Sequence, residues 1–83
     1  MITWHLNEVM ARHRIKVKDL AHYLGVNSNA VSNLKHARTM PRLDGQRLNQ
    51  ILMGLNELAD PATIKGHIEL QDLLDWVSDS EET

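Results

Sequence analysis

Apolar residues recur at helical spacing on the N-terminal side of Gly25, and this stretch organises the chain. Its apolar side chains, at positions i, i+3, i+4 and i+7, are Val17, Leu20, Ala21 and Leu24. This spacing places them on one face of a helix, and so predicts a helix with one buried side. Gly25 predicts the end of that helix, because glycine adopts positive φ without a Cβ clash.

A second short helix follows the glycine. Val26 is a residue type that is usually buried, and Asn27 is a suitable N-cap. In the helix that Asn27 begins, Val31 and Leu34 point to one side. The other side carries the polar, uncharged residues Ser28, Asn29, Ser32 and Asn33. Two short helices with a tight glycine turn and a polar outer face on the second form the pattern of a helix-turn-helix.

The positions that carry this pattern resemble the helix-turn-helix of the lambda-repressor-like (Xre) family of DNA-binding regulators. They are Gly25 and, around it, Leu20, Ala21, Leu24, Val26, Val31 and Leu34. The resemblance implies an all-α, lambda-repressor-like helix-turn-helix domain of about five short helices. It also implies sequence-specific binding of double-stranded DNA, with the helix from about Ser28 to Lys35 in the major groove. We expect a transcriptional regulator, with repression as its effect.

The flanking sequence predicts three further helices. Thr3 is a plausible N-cap for a first helix through about His13, and another helix is expected from about Asp44 to Asn56. A short fifth helix, which also carries Trp76, is predicted by the apolar spacing of Leu70, Leu73, Leu74 and Val77. That stripe closes the core, forms a dimer surface, or does both. We expect one domain at residues 1–77, followed by an acidic, disordered tail at 78–83.

Charge is strongly segregated along the chain. Residues 1–42 hold seven Lys and Arg against two Asp and Glu, a net charge of +5. Residues 43–83 hold two against nine, a net charge of −7, so that the whole chain carries −2. The basic half coincides with the helix-turn-helix, as expected for a surface that meets nucleic acid.

The candidate DNA contacts fall into two groups. The expected base contacts are Ser28, Asn29, Ser32 and Asn33, since asparagine binds adenine bidentately and serine contacts several bases. The expected phosphate contacts are Lys18, Asn27, Lys35, Arg38 and Arg42. Arg12, Arg14 and His36 are further candidates. The alternative is a solvated outer face with scattered surface charge.

Other classes of function find little support in the sequence. There is no cysteine, and the five histidines lack the spacing of a metal site. We therefore expect no metal, no cofactor and no catalysis. No apolar run is long enough to span a membrane, and we expect a cytoplasmic protein. One domain covers about 1,000 Å² or less of DNA, so we expect a homodimer. The alternative is an antitoxin-like or adaptor module that binds a protein partner through the acidic C-terminal half.

Overall fold

The computed structural model describes residues 1–64 and 66–78. The elements, in chain order, are β1 (Ile2–Trp4), α1 (Leu6–Arg12), α2 (Val17–Leu24), α3 (Ser28–His36), α4 (Gly45–Leu58), a 3-10 turn (Pro61–Thr63), α5 (Leu70–Leu73) and β2 (Leu74–Trp76). Five helices confirm the predicted fold class, to which the molecule adds a small two-stranded sheet. Apart from Ser78, the predicted tail lies outside the described residues. None of the helices in the described ranges has the length and apolarity to cross a membrane.

The turn between α2 and α3 forms as the sequence predicts. Gly25 has φ 72°, and its N–H donates to the carbonyl of His22 at 3.2 Å. The Val26 N–H donates to the carbonyl of Ala21 at 3.0 Å, and the Val26 side chain is half-buried against the core. The Asn27 side chain caps α3 by accepting the N–H of Ala30 at 2.8 Å. These local bonds fix the angle at which α3 leaves α2.

The core lies where helices α1 to α5 meet. Its fully buried side chains are Leu6, Met10, Leu20, Val31, Ile51, Leu55 and Leu73. Gly54 brings α4 close to α2, since a Cβ at this position would lie only 2.8 Å from Cδ1 of Tyr23. A glycine inside a helix costs about 1 kcal/mol relative to alanine, and this close packing offsets that cost. Gly45 is the first residue of α4 and is not interior.

Arg14 occupies the link between α1 and α2. It is the one described non-glycine residue with positive φ, at 58°. Its guanidinium Nη1 donates to Oδ2 of Asp60 at 3.2 Å, and Ile15 is buried immediately after it. The backbone therefore keeps the left-handed turn in spite of a side chain that disfavours it.

Two predicted boundaries are wrong because of the sheet. Thr3 does not cap α1, whose N-cap is His5, and the helix predicted through Val77 ends at Leu73. Residues 2–4 and 74–76 instead pair antiparallel, with Ile2 opposite Trp76 and Trp4 opposite Leu74. Trp76 lies outside the helical spacing but two residues from Leu74, so these two side chains share one face when the segment is a strand paired with β1.

Candidate nucleic-acid interface

Helix α3 presents the polar face that the sequence predicts. Ser28, Asn29 and Asn33 are exposed and Ser32 is half-buried, while Val31 on the opposite side is completely buried. The first turn of α3 contains no acidic residue, and its last turn contains Lys35 and His36. A helix N-terminus with no carboxylate in its own first turn favours the approach of an anion.

The predicted basic residues lie on both sides of this helix in the chain. Lys18, in the first turn of α2, is exposed, as are Arg38 and Arg42 in the segment that joins α3 to α4. Lys35, in the last turn of α3, is half-buried. Within residues 1–64 and 66–78, none of these four side chains forms an ion pair, whereas Arg14 is engaged by Asp60. Their charge is therefore available to phosphate, and that of Arg14 is partly neutralised.

The segment after α3 is fastened to β1, which sequence reasoning did not foresee. The Trp4 indole Nε1 donates to the carbonyl of Leu34 at 2.8 Å, and the Trp4 backbone N–H donates to the carbonyl of Arg38 at 3.3 Å. Thr3 and Thr39 form a further antiparallel bridge. Trp4 is buried and thus holds the C-terminal end of α3 and the start of the basic segment in place.

Arg47 was grouped with the acidic half of the sequence, but it lies beside α3. Asp44 caps α4 by accepting the Arg47 N–H at 2.7 Å, and this places Arg47 in the first turn. Its guanidinium Nη1 donates to the carbonyl of Leu24, the last residue of α2, at 3.4 Å. Asn33 and Arg47 border the same open cleft of about 340 Å³, together with Leu24, Val26, Ala30, Leu34, Pro41 and Leu43. The N-cap motif predicts the position of Arg47 within α4, but only the packing of α4 on α2 brings it to α3.

Many carboxylates of the acidic half are bound within the domain. Asp75 lies 2.9 Å from Nε2 of His5, and Asp60 pairs with Arg14. Glu69 and Asp72 form a reciprocal capping box at the start of α5. The acidic residues therefore stabilise turns and strand ends in the described part of the chain. Lys65 and the acidic residues Asp79, Glu81 and Glu82 lie outside it.

The two histidines that flank α1 have structural partners. Nδ1 of the buried His13 lies 2.9 Å from Oγ1 of Thr63, which joins the end of α1 to the 3-10 turn. His5 bridges β2 and α1, since its Nδ1 also lies 3.8 Å from a carboxylate oxygen of Glu8. Among the described residues, no three His, Cys, Asp or Glu side chains are grouped to hold a metal ion.

Comparison with known proteins agrees with this arrangement. Residues 5–57 match the model of a family described as the Cro/C1-type HTH DNA-binding domain. The matched segment begins at the N-cap of α1 and ends within the last turn of α4, so it contains the complete helix-turn-helix and leaves out both strands. The comparison with curated proteins and the comparison with solved structures gave no significant match.

Proposed function

Because the chain belongs to the Cro/C1-type helix-turn-helix family of DNA-binding domains, we propose that it recognises a specific duplex sequence and regulates transcription, acting as a repressor. The observation that carries the proposal is the exposed polar face of α3 between cations that form no ion pair with any other described residue. An uncharged polar face suits hydrogen bonding to base edges, whereas unpaired cations suit phosphates.

In the proposed complex, α3 enters the major groove and its outer face meets the base edges. Asn29 and Asn33 lie one turn apart on this face, and each side-chain amide can donate to and accept from adenine. Ser28 and Ser32 add single hydrogen bonds. Asn27 is already engaged in capping α3, and its remaining amide N–H groups would meet a phosphate.

Phosphate contacts would then fix the position of α3 in the groove. Lys18 approaches the backbone from the start of α2, whereas Lys35, Arg38 and Arg42 approach it from the end of α3 onward. Since Trp4 ties the backbone at Arg38 to β1, the loop that carries Arg38 and Arg42 is supported at its start. A held cation loses less conformational freedom when it binds.

We further propose that the protein acts as a homodimer on a two-fold related site. A single domain of this size covers too little DNA for tight binding, and two copies on one duplex bind with the summed contacts of both. The proposal includes no catalytic role, as is usual for domains of this family.

Selection of bound sequences from a random duplex pool tests the proposed function. We expect an enriched motif with two-fold symmetry, and tight binding of that motif in direct titration. The matched control is the Asn29→Ala/Asn33→Ala double variant, which should enrich no motif although it folds. If the wild-type protein enriches no sequence, the antitoxin-like or adaptor function becomes the better explanation.

A further inference from the structure

One face of the sheet carries apolar side chains from the core out to the surface of the domain. Side chains two apart on a strand share a face, so Ile2 lies on the same face as Trp4. Their pairing partners on β2, Trp76 and Leu74, lie on that face as well. Trp4 is 3% exposed and Leu74 is half-buried, but Ile2 is 42% exposed and Trp76 is 72% exposed. The outer half of this face is therefore an uncovered extension of a core surface.

The outer edge of β2 also carries backbone groups that β1 does not use. Val77 and Met1 exchange two backbone bonds, of 2.9 and 2.6 Å, and the His5 N–H donates to the carbonyl of Leu73 at 2.7 Å. Antiparallel pairs alternate between bonded and non-bonded, so Trp76 stands in a non-bonded pair with Ile2. Its N–H and C=O point away from β1, and nothing in residues 1–64 and 66–78 pairs with that edge.

We propose that this edge and face bind a second copy of the chain through antiparallel pairing of β2 with its symmetry mate, centred on Trp76. The two Trp76 residues would exchange two backbone hydrogen bonds and extend the sheet to four strands in the order β1-β2-β2-β1. On one face, the side chains would then form the row Ile2, Trp76, Trp76, Ile2. This inference rests on the proposed function, because it names the surface of the proposed homodimer.

The charges of β2 favour this register. Pairing centred on Asp75 would place the two Asp75 carboxylates directly opposite each other, which is destabilising. With Trp76 at the centre, each Asp75 instead stands opposite Val77 of the second copy. Each Asp75 also keeps its own His5 at 2.9 Å.

Two further observations favour a second copy as the occupant. Residues 79–83, which follow β2, are Asp, Ser, Glu, Glu and Thr, so this segment has no apolar side chain to cover Trp76. In addition, β1 is tied to the end of α3 by the Trp4 bonds to Leu34 and Arg38. A pairing of β2 strands would therefore set the distance between the two α3 helices, as recognition of two half-sites requires.

The size of the surface predicts a weak dimer in free solution. The exposed parts of Ile2 and Trp76 amount to roughly 250 Å² per copy, against about 800 Å² per partner in a stable complex. We therefore expect association that rises with concentration. Binding of both copies to adjacent half-sites should strengthen it, because the duplex raises their effective concentration.

Sedimentation of the DNA-free protein over a range of concentrations tests the surface independently of DNA binding. The wild-type protein should move from monomer to dimer, and Trp76→Gln should remain monomeric. The matched control is Met53→Gln on α4, where Met53 is also exposed, at 54%; this variant should dimerise like the wild type. On a selected duplex, Trp76→Gln should lose at least tenfold affinity for two half-sites and keep its affinity for one.

Disulfide trapping tests the register while leaving Trp76 in place. The chain has no cysteine, so Asp75→Cys and Val77→Cys proteins can be mixed and oxidised. Residues 75 and 77 of opposite copies would be a directly opposed pair, within disulfide reach. The mixed disulfide should form much faster than the disulfide between two Met53→Cys chains.

Three results would overturn the proposed surface. These are a wild-type protein that stays monomeric at every concentration, a Trp76→Gln variant that dimerises like the wild type, and a mixed disulfide no faster than the control. If dimers form but no duplex is bound, the surface stands and the proposed function fails. If the protein binds half-sites but forms no dimer that depends on Trp76, the proposed function stands and the proposed surface fails.

Discussion

At the residue scale, two positions with very different side chains share an unusual backbone conformation. Gly25 and Arg14 both have positive φ, at 72° and 58°. The glycine was predictable, because it stands just past a helical apolar pattern. The conformation of Arg14 could not be predicted, because a residue of its type disfavours positive φ.

A substitution at Gly25 tests this backbone argument. A Cβ at Gly25 meets no atom within 4 Å, so the penalty of Gly25→Val comes from backbone strain alone. We expect a loss of about 1–2 kcal/mol, which lowers Tm by roughly 5–15 °C in a domain of this size. Gly25→Asn should lose much less, since asparagine tolerates positive φ. Equal melting temperatures for the two variants would show that φ does not limit this turn.

Base readout is also a property of single residues. We expect Asn29→Ala or Asn33→Ala to weaken binding to the cognate duplex by roughly 1–3 kcal/mol and to leave binding to random duplex almost unchanged. Asn49→Ala is the matched control, because Asn49 is an exposed asparagine on α4. Titration of all three variants into cognate and random duplexes gives the comparison. Equal losses on the two duplexes would remove Asn29 and Asn33 from base recognition.

At the scale of elements, the parts that local sequence specifies were predicted and the part that depends on distant residues was missed. Asn27 and Asp44 cap α3 and α4 through bonds that span three residues, and both were predicted to begin those helices. The sheet joins Ile2 to Trp76. No window of neighbouring residues contains that pairing, so the helical spacing of Leu70, Leu73, Leu74 and Val77 was read as one helix.

Truncation distinguishes the strand from the tail. A chain that ends at Ser78 keeps β2 and should melt close to the full-length protein. A chain that ends at Leu73 loses β2, leaves Thr3 unpaired on that side and exposes Trp4, which is 3% exposed in the intact molecule. Loss of a buried aromatic environment costs several kcal/mol, on the order of 3, so Tm should fall by more than 10 °C. Similar melting of both truncations would mean that the sheet adds little to stability.

At the scale of the whole molecule, folding rearranges the charge pattern of the sequence in one important place. The division into a basic and an acidic half places Lys18, Lys35, Arg38 and Arg42 together, and none of the four forms an ion pair with another described residue. It misplaces Arg47, which reaches the end of α2 and borders the cleft beside Asn33. Arg47→Ala is therefore unsuitable as a control for the loss of a cation far from the proposed DNA-binding surface, although Arg47 lies in the acidic half of the sequence.

Salt dependence tests whether the segregated charge is the DNA-binding surface. Because the chain is net acidic, evenly distributed charge would repel DNA, and binding requires the cations to act together. Replacement of Lys35, Arg38 or Arg42 by alanine should in each case reduce the slope of log affinity against log salt by roughly 0.9, on specific and random duplex alike. The matched control is Arg14→Gly, which removes one positive charge that is already paired with Asp60 and keeps a residue suited to positive φ. It should leave the slope nearly unchanged. Deletion of residues 79–83, which removes three acidic residues, should raise affinity slightly at low salt and have no effect at high salt, where distant charges are screened. If the Lys35→Ala/Arg38→Ala/Arg42→Ala variant has the wild-type slope, or if Arg14→Gly lowers the slope as much as each single alanine variant, the phosphate contacts lie elsewhere on the molecule.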